Sequence, residues 1–391
     1  MTSPPSRRFW STTKLGASCL LLWLGIFAAT LWPFNPFPNN QVQWLTDMNG
    51  IHIGKSGTLS SSSPFPGEPA NDGRDCSVEI LLRADNLADV HTFLSFYAPG
   101  DWLPFELRQY GQGLLIFRRF RDARNHVSGA EVDLEHVFHR GSATLISITS
   151  GARGTKVYVN GQLAQTAAGY HISSSNFSGE LLLGTAPITY DAWSGDLRGL
   201  AFYRQELNAT QVQQHFYEWS ESGTLSADTA EEVLAQYFFD ERSGTIVHNQ
   251  VAGMPDLMIP RYFQVPHKGI LLPPWREITP LWIYVDDLAR NITGFVPLGM
   301  VLYLYLLRLR PARQAVVLTI VLGGLTSLAI EVLQAYIPQR VSGTTDIITN
   351  TLGTGLGVLL LQPRPIGVML ATWGLIAAPW GAKSSATERI R

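Results

Sequence analysis

The sequence is poor in cysteine, with only Cys19 and Cys76 among its 391 residues. So few cysteines exclude a framework of several disulfides and a zinc site built from thiolates. The nine histidines show no spacing typical of metal ligands. We therefore expect no metal or other cofactor.

Calcium bound by aspartates is the alternative to that expectation. The polar part of the chain offers four aspartates, but none lies in a loop of regularly spaced carboxylates. We expect them to be turn residues, and calcium on this part of the chain is unsupported. The four are Asp72, Asp75, Asp101 and Asp191.

The sequence also lacks the features of several functional classes. The formal net charge of −2 leaves no basic excess for binding nucleic acid. There is no Gly-x-Ser-x-Gly sequence and no Ser/His/Asp motif around a nucleophile. We therefore predict no catalytic residues and expect a binding protein rather than an enzyme.

Long apolar runs lie at both ends of the chain, whereas residues 40–270 are polar and rich in Gly and Ser. Residues 15–32 are long enough to cross a bilayer once. Arg7, Arg8 and Lys14 precede them, so the positive-inside rule places the N-terminus in the cytoplasm. A cleaved signal peptide is the alternative, but we find no good small-x-small cleavage site. Further apolar stretches lie at about 288–307, 314–336, 345–361 and 366–380.

Basic residues in the short connections predict the path of the chain. Residues 308–313 and 362–365 carry arginines, so both connections should lie in the cytoplasm. Residues 38–287 and 337–344 then lie outside. A full crossing by 366–380 would place the basic tail outside as well, so the side of the tail stays open. We predict a multi-pass protein of the bacterial cytoplasmic (inner) membrane with a cytoplasmic N-terminus and residues 38–287 extracytoplasmic.

Residues 42–222 have the alternating pattern of short strands separated by turn residues. Examples are residues 77–83, 143–148 and 155–159, the last of which runs into Asn160-Gly161, a strong hairpin signal. Many short strands with almost no helical periodicity predict a β-sandwich.

Five segments of this part resemble a laminin-G-like, or concanavalin-A-like, jelly roll in both content and order. The last segment would contain the closing helix, capped by Asn208. The resemblance implies the fold but says little about a ligand, because such sandwiches bind sugars, proteins or nothing. The segments are CSVEILLRAD (76–85), FLSFY (93–97), TKVYVNGQL (155–163), GELLLGTAP (179–187) and WSGDLRGLAFYRQELNATQVQQHF (193–216).

One segment is out of its usual order. Residues 230–253 resemble the stretch that usually begins such a domain, although here they follow the closing helix. We infer that they fold back as an edge strand or form a small subdomain that rests on the sandwich.

Three motifs near the end resemble the VanZ-like family: DDLARNITGFVPLG (286–299), IEVLQAYIPQR (330–340) and TTDIITNTLGTGLG (344–357). The resemblance implies that residues 15–34 are the family's first helix and that the jelly roll, about 42–260, is inserted after it. It also implies a link to glycopeptide-antibiotic tolerance, without a settled biochemical activity. The matching residues are Asp287, Asn291, Phe295, Pro297, Leu298, Gly299, Glu331, Gln334, Arg340, Asp346, Asn350 and Gly353.

The predicted fold class is mixed: an all-β jelly-roll sandwich outside the membrane plus an α-helical transmembrane bundle of four to five helices. The predicted boundaries are a cytoplasmic tail (1–14), transmembrane helix 1 (15–34), the jelly roll (42–222), a fold-back segment and linker (223–270), an interfacial segment (271–287), VanZ-like transmembrane helices 2–5 (288–382) and a tail (383–391).

Ionisable and amide side chains in these apolar segments are costly and need a reason. Within each motif they are spaced to share a helix face, and the predicted topology brings all of them to the outer leaflet. One interpretation is structural, with helix N-caps and an Arg340–Glu331 ion pair. A second is a pocket for a lipid headgroup or lipid-linked glycan, and a third is catalysis by Glu331 or Asp346 as general base. The candidate ligand-binding residues are Asp287, Asn291, Glu331, Gln334, Arg340, Asp346 and Asn350.

Two glycines in the last motif predict close helix packing. Gly353 and Gly357 form a small-x-x-x-small face, with Gly323 and Gly324 as candidate partners on another helix.

Four arginines surround Phe120 in the β part: Arg118, Arg119, Arg121 and Arg124. The first three are a weak candidate for contact with acidic glycans or lipid headgroups. The alternative is a solvated hairpin edge guarded by charge.

Together these features predict an integral membrane protein that binds a glycan or lipid-linked cell-envelope component. The jelly roll and a polar pocket at the outer leaflet would be its binding sites. Its expected partners are membrane lipids, a glycan or lipid-linked glycan, and another envelope protein. The alternatives are a membrane enzyme acting on an envelope lipid and a scaffold whose jelly roll binds a protein.

Overall fold

The chain folds into two compact units in this computed structural model. The helical unit comprises Met1–Asn35 and Gly269–Arg391, and the β unit comprises Pro36–Lys268. The structure describes residues 11–66, 75–88, 90–98, 101–121, 125–188, 190–226, 231–274 and 281–362, without the side chains of 101–103 and 281–284.

The described residues of the β unit form short antiparallel strands, one helix and one turn of 3-10 helix (Ser174–Phe177). The strands that precede the helix are β1 (Val42–Trp44), β2 (Ile51–Ile53), β3 (Leu59–Ser61), β4 (Cys76–Ala84), β5 (Val90–Ala98), β6 (Asp101–Tyr110), β7 (Gly113–Arg121), β8 (Val127–Leu134), β9 (Thr144–Gly151), β10 (Gly154–Val159), β11 (Gln162–Ala167), β12 (Glu180–Leu183) and β13 (Gly195–Tyr203). The helix of this unit is Ala209–Glu221, and β14 (Val233–Tyr237), β15 (Ile246–Val247) and β16 (Leu257–Met258) follow it.

The strands pair into two eight-stranded sheets. The first sheet has the order β1-β2-β13-β4-β9-β10-β11, with β14 also paired to β13. The second has the order β15-β16-β3-β12-β5-β6-β7-β8. Alternate residues of β4, such as Val78 and Ile80, enter a core that they share with residues of the second sheet, such as Phe96. This is the predicted β-sandwich.

Both faces of the first sheet are covered near its centre. Leu81 of β4 belongs to a second apolar cluster with Val212 and Trp219, which lie on the helix Ala209–Glu221. Asn208 caps this helix as the sequence predicts, because its Oδ1 accepts from the backbone N–H groups of Thr210 and Gln211 at 3.0 and 3.1 Å.

The segment that follows the closing helix adds strands to both sheets. β14 pairs with β13 in antiparallel register, with Leu200 opposite Tyr237 and Tyr203 opposite Val233. β15 and β16 lie beside β3 at the edge of the second sheet. The β unit therefore extends beyond residue 222 and includes Pro36–Lys268.

The described residues of the helical unit form four helices. In chain order, with the helix of the β unit named α2 (Ala209–Glu221), they are α1 (Thr12–Leu31), α3 (Leu281–Leu306), α4 (Ala312–Ala335) and α5 (Thr344–Leu360). By length and composition, α1 and α4 qualify as membrane spans. The described part thus supports two of the four to five predicted spans, and the stretch 366–380 lies outside it.

Glycines set the spacing of α5 against its neighbours. A Cβ atom on Gly353 would overlap the carbonyl oxygen of Ile292, and one on Gly357 would overlap that of Val296. Both carbonyls belong to α3, so the predicted partners Gly323 and Gly324 on α4 are wrong for this face. Those two glycines instead face the side chains of Thr354 and Thr351 on α5, because α5 presents a different side to α4.

Candidate functional site

The helical unit joins three helices through polar side chains. Asn291 of α3 donates from Nδ2 to Oδ1 of Asp346, in the first turn of α5, at 2.7 Å. Asn350, one turn later, donates from Nδ2 to Oγ of Ser327 on α4 at 2.9 Å. The Ser327 hydroxyl lies 3.3 Å from the main-chain oxygen of Asp346, to which it donates. We call Asn291, Ser327, Glu331, Asp346 and Asn350 the polar cluster.

Glu331 is the most deeply buried acid of the predicted site, with 1% of its surface exposed. Its Oε2 accepts from the backbone N–H of Gly343 at 2.8 Å, in the loop before α5. That loop is also held by Leu272, whose N–H donates to the Ser342 carbonyl and whose carbonyl accepts from Thr344, each at 2.8 Å. Glu331 therefore fixes the start of α5.

Gln334 and Arg340 both contact the end of α1. Gln334 donates from Nε2 to the carbonyl of Thr30 at 3.0 Å, and Arg340 donates from Nη2 to that of Trp32 at 2.7 Å. Within the described residues Glu331 and Arg340 form no ion pair, because each side chain is turned to a different backbone group. The pairing that we considered from the sequence is therefore wrong.

The structure does not place every predicted residue in the polar cluster. Asp287 is exposed on α3, one turn before Asn291, and takes no part in the contacts above. Ser327 was missed, although a hydroxyl beside Thr326 in an apolar run was a signal for a helix–helix hydrogen bond. The Oδ1 atom of Asn350 is buried and accepts no hydrogen bond within the described part of the chain.

The β unit has a cleft of roughly 230 Å³, which we call the Trp193 cleft. Trp193 is buried and donates from Nε1 to Oε1 of Gln109 at 2.9 Å. His91 is 2.9 Å from Asp191, measured between Nδ1 and Oδ1, and the Tyr190 hydroxyl donates to the Lys55 carbonyl at 3.0 Å. The cleft is lined by Lys55, Asn86, His91, Gln109, Tyr190, Ala192, Trp193 and Ser194.

These lining residues come from separate strands and loops, so no spacing in the sequence identified them. Burial raises the pKa of the Tyr190 hydroxyl, which keeps this group a hydrogen-bond donor at neutral pH. The cleft thus combines aromatic surface with a cation, amides and an imidazole.

The arginines of β7 do not form one patch. Residues alternate between the two faces of a strand, so Arg118 points to the opposite face from Arg119 and Arg121. Arg118 stacks on the rings of Phe120 and Tyr170, with its guanidinium carbon 4.8 and 5.3 Å from their centroids. Arg124 lies outside the described residues.

Two of the four calcium candidates, Asp75 and Asp191, have side chains in the described part of the chain. Asp191 accepts hydrogen bonds from the Thr92 backbone and hydroxyl, at 2.9 and 2.6 Å, besides its contact with His91. Asp75 is exposed. Asp72 and the side chain of Asp101 lie outside the described part.

Within the described residues, His52, Asp85 and Asp196 bring three metal-type ligand atoms within 4.8 Å of one another. Arg83 donates from Nε to Asp196 at 2.8 Å and from Nη2 to Asp85 at 3.2 Å. Burial alone would raise the pKa of Asp196, but its hydrogen bonds from Arg83 and His52 outweigh burial and lower it. The guanidinium already compensates both carboxylates, so this group is a cross-strand ion-pair ladder.

A buried imidazole lies under α2. His215 Nδ1 is 2.8 Å from Glu79 Oε2, and its Nε2 is 3.1 Å from Glu231 Oε1. The Ser147 hydroxyl donates to the other oxygen of Glu79 at 2.8 Å. Burial would lower the pKa of His215, but the hydrogen bond and charge of Glu79, with the charges of Glu231 and Glu218, outweigh it and raise the pKa.

Comparison with known families identifies both units. The model of the VanZ/LLP1 family matches residues 234–366, and that of the concanavalin A-like lectin/glucanase superfamily matches 56–213. Residues 234–366 thus match a VanZ-like protein, and residues 56–213 match a concanavalin A-like domain. No curated protein matches it.

Solved structures give only distant likenesses. The receptor-binding domain of botulinum neurotoxin D is 13% identical, with a TM-score of 0.35, over 50% of this chain and 50% of that one. The binding domain of botulinum neurotoxin DC, solved in complex with rat synaptotagmin II, is 13% identical, with a TM-score of 0.36, over 48% and 47%. The chain thus spans about half the length of these chains.

The VanZ/LLP1 match contains the three motifs and therefore the whole polar cluster. It begins inside β14 and leaves α1 outside, so the assignment of residues 15–34 as the family's first helix stays a prediction. The match to this family, together with the apolar helices α1 and α4, indicates a membrane protein.

Proposed function

We propose that this VanZ-like protein binds a glycan, free or carried by an envelope lipid, through its β unit. The observation that supports this most directly is the Trp193 cleft. Aromatic rings pack against the apolar face of a sugar, and amide, imidazole and ammonium groups exchange hydrogen bonds with its hydroxyls. Tyr190 supplies the first kind of contact, and Asn86, His91 and Lys55 supply the second.

The polar cluster is the proposed second contact, for the headgroup of the lipid carrier. Asn350 supports it, because its side-chain oxygen is buried without a donor among the described residues and buried acceptors of this kind are rare. Glu331 and Asp346 already accept hydrogen bonds from Gly343 and Asn291, so Asn350 is the residue that we expect to contact the headgroup. Tolerance to glycopeptide antibiotics would follow if the bound lipid carried their target.

The glycan proposal predicts that a glycan co-purifies with the full-length protein in mild detergent. Mass spectrometry should detect it on the wild type and about tenfold less of it on His91→Ala and Tyr190→Ala, since each loses a contact worth about 1–1.5 kcal/mol. Tyr217→Ala is the control, because Tyr217 is 56% exposed on α2. Equal recovery from all variants, or no glycan on the wild type, would contradict the proposal.

The proposed topology predicts opposite labelling of two single cysteines. In a Cys19→Ala, Cys76→Ala background, Ala152→Cys should react with a membrane-impermeant maleimide on intact spheroplasts, and Gln314→Cys should not. Both positions are exposed, so side-chain access does not limit the reaction. Labelling of Gln314→Cys alone would reverse the orientation.

A further inference from the structure

A second cleft of the β unit lies between the end of α2 and the outer face of the first sheet. It measures roughly 450 Å³, and we call it the α2 cleft. Leu81, Phe216 and Trp219 give it an apolar floor, and Arg198 and Arg242 add two guanidinium groups. The residues that line it are separate from those of the Trp193 cleft.

Two N–H groups in the wall of this cleft are buried without an acceptor in the described part of the chain. They are Nε1 of Trp219, a residue only 1% exposed, and Nε of Arg198. Native proteins rarely leave a buried donor unsatisfied, because it forfeits its bond to water. Two such donors on residues that line one cleft favour a site for acceptor oxygens.

The backbone aims both side chains. The β13–β4 register shifts between Leu197 and Gly199, so Arg198 is the residue of a β-bulge, a feature that re-aims a side chain. Gly199 leaves room for the six-membered ring of Trp219, whose Cζ3 edge packs where a Cβ would stand. The indole N–H lies on the far edge of the ring from this contact.

Charge and helix geometry define the ligand further. Arg198 also lies 3.7 Å from Asp196, measured between Nη2 and Oδ2. The attraction for a negative group therefore comes from Arg242 and from the Nε–H of Arg198, which has no acceptor in the described part of the chain. The end of α2 presents main-chain carbonyls, which accept hydrogen bonds and disfavour a bare anion. A ligand that carries both an oxyanion and hydroxyl donors, on a ring with an apolar face, matches all three features.

We infer that the α2 cleft binds an acidic saccharide, a sugar ring that carries a carboxylate. The carboxylate accepts from Arg198 and Trp219, hydroxyls donate to the carbonyls at the end of α2, and the ring packs on Phe216. This site goes beyond the proposed function, because it is separate from the Trp193 cleft and selects for charge.

Calorimetry on the full-length protein in detergent tests the inference with digalacturonate, a glucuronate-bearing disaccharide, neutral galactobiose and sodium sulfate as probes. At least one uronate should bind roughly tenfold more tightly than galactobiose, the difference expected when one charged hydrogen bond is lost. Arg198→Lys keeps the positive charge but loses the Nε–H and the paired N–H donors of the guanidinium group. It should weaken uronate binding about tenfold. Trp219→Phe should weaken it several-fold.

Matched controls separate this site from the rest of the molecule. Trp44→Phe removes an indole that already donates to the Gly244 carbonyl at 2.9 Å, and Arg153→Gln removes an exposed arginine elsewhere. Both should bind uronates like the wild type, as should His91→Ala, which tests the Trp193 cleft instead. Thermal melting identifies any variant that is misfolded. If Trp219→Phe is misfolded, Arg198→Lys alone tests the inference.

Each of the following outcomes would overturn the inference. Failure of both uronates to bind the wild type would remove the site. If galactobiose binds as tightly as the uronates, the charge of the ligand has no role. If folded Arg198→Lys binds uronates like the wild type, the buried Nε–H donor has no role. Sulfate that displaces the uronates with equal affinity would leave a simple anion patch.

Discussion

His215→Ala should lower the free energy of unfolding of the β unit by about 3–5 kcal/mol, the usual cost of removing one partner from a buried ion pair. The imidazole lies between Glu79 and Glu231, whose side chains are 0% and 6% exposed. Without it, two carboxylates remain buried together under α2. Hydrogen exchange of peptides from β4 and α2 in the full-length protein measures the change.

His248→Ala is the matched control. His248 also faces an acid, Asp256, at 3.4 Å, but the two side chains are 62% and 36% exposed. Exposed pairs contribute between about 0 and 1 kcal/mol, so this variant should exchange like the wild type. An equal loss in both variants would show that burial of the triad does not determine the effect.

The same triad should make the β unit less stable as pH rises. Because the pKa of His215 is raised in the folded state, its stabilising contribution is complete below the ordinary value of about 6.5. That contribution is lost as pH increases through the raised pKa. The groups that face the imidazole are Glu79 and Tyr203 from the sheet, Glu231 from the segment before β14, and Glu218 from α2.

Thermal melting of the full-length protein at pH values from about 6 to 9 measures this dependence. That pH range includes the ordinary histidine pKa of about 6.5. The wild type should lose stability over that range, and His215→Ala should lose less. Parallel profiles for the two proteins would mean that another group controls the pH dependence.

Local sequence patterns were sufficient to predict the elements but not their partners. Strand alternation and the Asn208 cap depend on neighbouring residues, so they could be predicted from the sequence. The His215 triad joins residues that are 136 and 16 positions apart, and no local pattern predicts such contacts. The arginines of β7 were grouped by their closeness in sequence, although the two-residue period already placed Arg118 and Arg119 on opposite faces. Their contact with a glycan or headgroup stays a prediction.

The candidate site in the helical unit shows the same limit. Spacing correctly placed Asp346 and Asn350 on one face of α5, as helical geometry requires. It did not indicate that Asn291 would pair with Asp346, or that Arg340 would turn to the Trp32 carbonyl. Those choices depend on how closely the helices approach, and glycines set that distance.

Gly353→Ala and Gly357→Ala should therefore each destabilise the helical unit by about 1–3 kcal/mol or more, the cost of overpacking. The added methyl would meet the backbone of α3, at Ile292 for Gly353 and at Val296 for Gly357. A carbonyl cannot rotate away as a flexible side chain can, so α3 must shift. Thermal melting of the full-length protein in detergent measures the loss.

Gly355→Ala in the same helix is the control, and its expected change in stability has the opposite sign. A Cβ there would meet nothing within 4 Å, and alanine gains about 0.8–1 kcal/mol of helix propensity over glycine. This variant should melt at or above the wild-type temperature. If all three variants melt alike, close packing of α5 on α3 does not stabilise the unit.

The shift of α3 should also disturb the polar cluster, since Ile292 follows Asn291 directly in the chain. Moving that backbone away from α5 would lengthen and weaken the 2.7 Å hydrogen bond from Asn291 to Asp346. Asn291→Ala removes the same donor without moving α3. If Gly353→Ala acts through this bond, combining the two substitutions should cost less than the sum of the single effects, by more than about 0.5 kcal/mol. Additive losses would instead confine the role of Gly353 to helix packing.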